Sequence, residues 1–249
     1  MDYIKINDID FSKTKMNKTY GLGLNTFYTD YDNELFYKLF HSMTDEKSKT
    51  IEKKFIELEK LNIEYISNAL KLIYDNDNMI VGYVQKYISG DTLYKTIYKN
   101  GIYNEMKTLL ELSKRLEYLH NNDIVVGDLH FNNIMINNNK EPIFIDAESY
   151  QIKGIESFET SILLNNYYVQ KRIKLEKNKN SDIISFYLSF FERVFKRDIL
   201  CTKLESYNSY LSNPYMKDLY NIFFELNKRS GRIPDIPYLH KVLKNYDNS

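Results

Sequence analysis

The stretch that most constrains this chain runs from Tyr118 to Glu148, YLHNNDIVVGDLHFNNIMINNNKEPIFIDAE. Three apolar runs lie within it: DIVV before Gly127, IMI at Ile134–Ile136, and PIFI ending at Asp146. The first two flank a polar GDLHFNN, and the last two are separated by NNNKEP, rich in turn formers. The pattern predicts strand, tight polar loop, strand, turn and strand. One acid, Asp128, falls in the loop; an amide, Asn133, follows five residues later, and a second acid, Asp146, stands eighteen residues after the first. A single Asp in a polar turn ordinarily caps or shapes that turn. It is the combination of intervals that carries information here.

The remainder of the chain must build a core around this segment. Its 249 residues suffice for one large domain or for two lobes sharing a cleft. With 23 Tyr, 14 Phe and no Trp, the core is expected to rest on Tyr, Phe and Ile. A formal net charge of zero gives no support to a nucleic-acid partner or an anionic membrane. Cys201 is the one cysteine, so no disulfide framework forms within the chain, and a reducing compartment is expected. The opening MDYIKINDIDF lacks the apolar core of a signal peptide. No run approaches the roughly 18 apolar residues of a membrane span. The expected location is therefore the cytoplasm.

Towards the N-terminus, KTYGLGLNTFYTDYDNELFYKLF reads as strands about the turn Asp32-Asn33. Gly21 and Gly23 form G-x-G, which either lets backbone amides approach a phosphate closely or marks a bulge. In FYKLF, a strand places Phe36, Lys38 and Phe40 on one face. A lysine on such a face is costly unless it is paired. The acids available are on the next predicted helix, Lys49–Leu61, where Ile51, Phe55, Ile56 and Leu58 make the apolar stripe and Glu52, Glu57 and Glu59 compete. Two strands follow, ALKLIYD and MIVGYVQKY, about the turn Asp75–Asn78. Asp91 is expected to cap a short helix. Asn104–His120 and Ser181–Phe195 are longer helices, the second apolar nearly all round.

Taken together, YLH, GDLHFNN and the following Asp resemble the catalytic core of the protein-kinase-like superfamily, whose signature is D-x-x-x-x-N followed by a metal-binding Asp. The likeness extends over nearly the whole chain, from about Tyr20 to Leu243. It implies an α+β, two-lobed fold: a small, mostly β N-lobe over about 1–85 with one helix, a hinge at about 85–90, and a larger, mostly α C-lobe over about 91–249. It further implies transfer of the γ-phosphoryl group of ATP to a hydroxyl, with Mg²⁺, a reaction that needs positioning and charge stabilisation more than covalent chemistry. Asp128 would orient the attacking hydroxyl and accept its proton. Asn133 and Asp146 would offer oxygens to the metal. Lys38 would hold phosphates, beneath the glycines Gly21 and Gly23. The family's interval from this lysine to its acid selects Glu57, with Glu52 as the alternative. Gln85 would be the residue at the rear of the adenine site, with backbone groups near Gln85–Tyr87 on the adenine edge. His120 would pair with Asp182, and Arg232 and Pro234 match the run before the family's final helix.

The sequence also departs from that pattern. Gly127 replaces the arginine before the catalytic Asp, Val126 replaces the usual His or Tyr, and His130 replaces the lysine two residues after that Asp, offering a pH-sensitive cation to the γ-phosphate. Ala147-Glu148 follow Asp146 in place of Phe-Gly, and YYVQKR stands where Pro-Glu is expected. Without an arginine at 127, activity is expected not to depend on a phosphorylated activation loop. GDLHFNN is similar to the loop of aminoglycoside and choline kinases, which leaves a small-molecule acceptor as the alternative to a Ser/Thr protein substrate. A nucleotide-binding pseudokinase is a third reading. The acceptor and the oligomeric state stay open at this level.

Overall fold

A computed structural model describes residues 1–17, 25–156, 161–197, 199–228 and 232–244. The chain is α+β, with a mixed six-stranded sheet, two smaller sheets and eight α-helices among the described residues. The large sheet contains β1 (Asp2–Lys5), β2 (Lys15–Asn17), β3 (Asn25–Asp30), β4 (Leu35–Phe40), β5 (Ala69–Tyr74) and β6 (Ile80–Lys86), in the order β1-β5-β6-β4-β3-β2. The β1 strand lies parallel to β5, and the other pairs are antiparallel. Cross-strand partners share a face. Phe27, Lys38 and Tyr83 therefore line one side, together with Thr29, Phe36 and Gln85. Tyr28, Tyr37 and Val84 line the other. That outer face is covered by Ile4, Ile6, Ile9 and Phe11 of the N-terminal stretch, which thus does more than supply edge strands.

The inner face receives helix α1 (Asp45–Leu61) through Ile51, Phe55 and Leu58, with the Phe55 and Tyr83 rings 4.9 Å apart. The helix begins before the expected Lys49, because Thr44 caps it by accepting from the Lys47 N–H, and a polar first turn needs no apolar stripe. A second sheet joins β7 (Gly90–Thr92) to β9 (Ile134–Asn137) and β10 (Pro142–Phe144). Gly90 is required there: its φ is +152°, and a Cβ would stand 1.9 Å from the carbonyl oxygen of Ile136. Helix α2 (Leu93–Asn100) is capped by Thr92 and not by Asp91, whose carboxylate instead pairs with Lys99 at 2.6 Å. Helix α3 (Met106–Asn121) buries Met106, Leu109, Leu110, Leu112, Leu116 and Leu119, as its periodicity predicts.

A third, two-stranded sheet pairs β8 (Ile124–Val125) with β11 (Gln151–Ile152). Helices α4 (Ile162–Lys171), α5 (Lys179–Phe195), α6 (Leu204–Asn208), α7 (Pro214–Asn227) and α8 (Leu239–Val242) complete the described chain. Tyr167–Arg172, which occupies the place where the resemblance expects Pro-Glu, forms the end of α4 and its left-handed cap at Arg172. The core helix is α5, buried on nearly every side. Its N-terminus is a capping box in which the Asn178 side chain accepts from Ser181 N–H and the Ser181 hydroxyl accepts from Asn178 N–H. Neither Ser181 nor Asp182 is the cap, so the Asp182 carboxylate is available elsewhere. At its far end, Phe191, Phe195, Tyr207 and Phe223 form an aromatic cluster, with Tyr207 and Phe223 4.6 Å apart. No helix among the described residues is long and apolar enough to cross a membrane.

If this cluster anchors the helical part of the fold, Phe191→Ala costs about 3–5 kcal/mol in urea unfolding, because collapse around α5 cannot refill the volume of a ring. Tyr98→Ala, at a ring 81% exposed, shifts stability by less than about 0.5 kcal/mol. Equal losses for the two variants would contradict the packing described.

Candidate functional site

The polar loop after β8 is held from beneath by one acid. Asp182, in the first turn of α5 and fully buried, accepts hydrogen bonds from Val126 N–H at 2.6 Å and Gly127 N–H at 2.9 Å. His120, at the end of α3, lies 3.0 Å from the same carboxylate through Nε2, and its Nδ1 lies 2.7 Å from the Tyr238 hydroxyl. The expected His120–Asp182 pairing is therefore present. Gly127 takes φ +74°, the turn that aims both amides at one carboxylate. Further along, the Ser185 hydroxyl of α5 donates to Leu129 O at 2.6 Å. The Phe131 ring is buried against Phe186.

This clamp leaves Asp128 and His130 partly exposed beside a buried Asn133. Asn133 donates through Nδ2 to both the backbone oxygen and Oδ2 of Asp128, each at 3.1 Å. One end of the amide is thus tied to the acid, and its carbonyl end makes no hydrogen bond among the described residues. His130 Nε2 is 3.7 Å from Asp128 Oδ2. Ile145 N–H donates to Asn133 O at 3.1 Å, which brings the residue that follows, Asp146, beside the loop. Asp146 adopts left-handed backbone geometry with φ +61°, tolerated better by Asp than by most residues. The Ser149 hydroxyl, donating to Asp146 O at 2.8 Å, closes that turn.

Lys38 reaches this turn from β4. Its ammonium, 2% exposed, lies 3.1 Å from Asp146 Oδ1 and in direct contact with Glu148 Oε1. Burial works against its charge, but the two carboxylates outweigh it and hold the ammonium above its ordinary pKa. Glu148 is buried, and its Oε2 accepts from the Tyr83 hydroxyl at 3.0 Å. Burial pushes its carboxyl above the ordinary glutamate value, with Lys38 opposing and Asp146 reinforcing. Lys54 of α1, fully buried, donates to Glu148 O at 2.8 Å.

The acid expected to hold Lys38 is therefore elsewhere. Glu57 pairs with Lys60 at 2.6 Å and Lys153 at 3.0 Å, Glu52 accepts from the Tyr3 hydroxyl at 2.8 Å, and Glu59 meets the N-terminal amine. The cause is helical phase. The buried face of α1 is Ser48, Ile51, Lys54, Phe55 and Leu58, so the residue aimed inward beside the stripe is Lys54 and not a glutamate. Two signals in the sequence mark the observed arrangement: Lys54 lies three residues after Ile51, and Glu148 sits between Ala147 and the aromatic Tyr150.

The remaining candidates divide. Gln85 is buried on the Lys38 face of the sheet, and its Oε1 has no hydrogen-bond partner among the described residues. The Tyr87 N–H donates to Glu34 O at 2.8 Å, so it extends the β4–β6 ladder and is not a free donor for an adenine edge. Gly21 and Gly23 lie outside the described residues. A cavity of about 680 Å³ lined by Asp123, Lys153 and Lys179 lies at the start of α5, and none of the loop or turn acids lines it. No three His, Cys, Asp or Glu side chains converge as a metal site among the described residues. Mg²⁺ bound with phosphates keeps several waters and takes few protein oxygens, which the Asn133 amide carbonyl and the partly exposed Asp146 carboxylate would supply. Comparison of the sequence with family models and with curated proteins gives no match.

Replacing Lys38 by Met strands Glu148 beside Asp146 with no cation between them and is expected to cost about 3 kcal/mol. Deprived of the ammonium, the Glu148 carboxyl rises further from its ordinary 4.5. The native variant then keeps a proton that its unfolded chain has released, so its stability falls as pH rises above that value. The melting-temperature deficit against wild type is expected to be smaller at about pH 5.5 than at about pH 7.5. A deficit that is the same at both, or larger at the lower pH, would rule out a stranded acid.

Proposed function

We propose that this chain is an ATP-dependent phosphotransferase on a two-lobed, protein-kinase-like fold, moving the γ-phosphoryl group to the hydroxyl of a Ser/Thr protein substrate. The observation that carries this reading is the meeting of Lys38 from β4 with Asp146 after β10, beside the loop in which Asn133 is tied to Asp128. Those four residue types, in that chain order, serve a reaction whose demands are orientation and neutralisation of charge.

In this reading Asp128 accepts the proton of the acceptor hydroxyl. The Asn133 amide fixes the orientation of the Asp128 carboxylate. Lys38 binds phosphate oxygens, and Asn133 Oδ1 with Asp146 would hold Mg²⁺, which neutralises the phosphates when bound. His130, next to Asp128, faces the transferred group. Gln85, with its unpaired carbonyl on the Lys38 side of the sheet, borders the base. A cytoplasmic location goes with the same reading. The GDLHFNN loop favours a small-molecule hydroxyl as the alternative acceptor. A pseudokinase is disfavoured by the presence of Lys38, Asp128, Asn133 and Asp146 together.

The test is label transfer from γ-labelled ATP to protein substrates and to a panel of hydroxylated small molecules. Asp128→Ala is expected to slow transfer by roughly 10²- to 10⁴-fold, the usual contribution of a positioned base. It is expected to leave the stabilisation of the protein by Mg·ATP intact. Transfer that survives the substitution would remove Asp128 from this role. A wild-type protein that neither transfers label nor is stabilised by Mg·ATP would overturn the proposal.

A further inference from the structure

Lys38 has two carboxylates and one ammonium to share between them. Of the two, Glu148 is the inner, 5% exposed, and Asp146 is the outer, 28% exposed and next to the Asp128 loop. Glu148 is fixed from three directions. Tyr83, directly across from Lys38 in the sheet, donates to its Oε2. Lys54 of α1 holds its carbonyl oxygen. The short turn 147–149 is closed by Ser149 onto Asp146 O. A carboxylate so constrained leaves the ammonium little choice of position. Without its charge, Lys38 would have Asp146 alone to pair with, and that outer carboxylate would be neutralised.

We propose that Glu148 is the positioning residue of Lys38, held in place through Tyr83 and Lys54, and that helix α1 contributes a cation to this turn and no carboxylate to the lysine. The inference rests on the reading that Lys38 binds the phosphates of ATP. Its consequence is that the lysine and the outer acid are set by a single turn, 146–148. Glu148 shares the ammonium with Asp146, so the outer carboxylate, 3.1 Å from Lys38, does not hold it alone.

The experiment is a double-mutant cycle on the dissociation constant of Mg·ATP, measured by calorimetry on the whole chain with wild type, Lys38→Met, Glu148→Gln and the double variant. Glu148→Gln keeps an oxygen for Tyr83 and the backbone carbonyl for Lys54. On its own it is expected to weaken binding roughly tenfold or more, and less than about twofold when Lys38 is already Met. Glu57→Gln and Glu52→Gln are expected to stay within about twofold of wild type. An independent arm needs no nucleotide: adding Glu148→Gln to Lys38→Met should raise its melting temperature, because it removes the stranded acid. Should Glu148→Gln unfold, Glu148→Asp takes its place in the binding cycle, with weakened binding expected only while Lys38 is present. Equal weakening in both Lys38 backgrounds would mean that Glu148 touches the metal or nucleotide itself and would overturn the proposal. So would unchanged binding in Glu148→Gln, a loss in Glu57→Gln, or a lower melting temperature in the double variant. A wild-type chain that does not bind Mg·ATP overturns the phosphotransferase reading and this inference with it. Binding by wild type with an additive cycle overturns the role of Glu148 alone.

Discussion

A buried ammonium between two carboxylates ties the large sheet to the segment after β10. An isolated lysine at the position of Lys38 would be driven to lose its charge, since desolvating an ammonium costs several kcal/mol. It stays charged because Asp146 and Glu148 both reach it. Glu148 would not be stable there alone: it is nearly as deeply buried as the lysine, and its second oxygen needs the Tyr83 hydroxyl. The β4 and β6 strands, α1 and the turn 147–149 must therefore assemble together for any one of these charges to be tolerated. The left-handed backbone at Asp146 belongs to the same constraint, because it bends the chain so that residues 146 and 148 face one ammonium.

Beneath the loop, Asp182 does for the backbone what Lys38 does for the side chains. Two consecutive amides and an imidazole converge on a single buried carboxylate. Hydrogen bonds to a charged group are roughly twice as strong as neutral ones, and each fixes a direction. The loop is thereby drawn onto α5, buried on nearly every side, and the placement of the partly exposed Asp128 and the buried Asn133 follows from how their backbone is anchored. Arrangement of a site by its supports, on elements that do not move, is the general condition for positioning a reacting group to a fraction of an ångström.

Much of this was legible in the sequence because it depends on local pattern. The strands on either side of Asp75–Asn78, the apolar stripe of α3 and the all-round burial of α5 follow from periodicity alone. The pairing of His120 with Asp182 was reachable only through resemblance, since the two are brought together by tertiary packing. The partner of Lys38 was missed for a physical reason. Counting residues along a chain gives an interval, whereas burial on a helix depends on angle. The stripe Ile51, Phe55, Leu58 already turns Glu52 and Glu57 to the flanks and Lys54 inward. Helix α4 and the cover that Ile4–Phe11 make over the outer face carried little signal. The periodicity of α4 is weak, and the N-terminal stretch is short, polar in part and ordered by what it lies against.

On the proposed reading, Lys38, Asp128, Asn133 and Asp146 form one magnesium-nucleotide site. A crystal structure of the chain with Mg²⁺ and a non-hydrolysable ATP analogue tests it most directly. The expected result is a metal about 2.0–2.1 Å from oxygens of Asn133 and Asp146, the usual range for this ion, with phosphate oxygens against Lys38 and the γ-phosphate facing Asp128. A nucleotide bound elsewhere on the molecule, or a metal that avoids both residues, would contradict it.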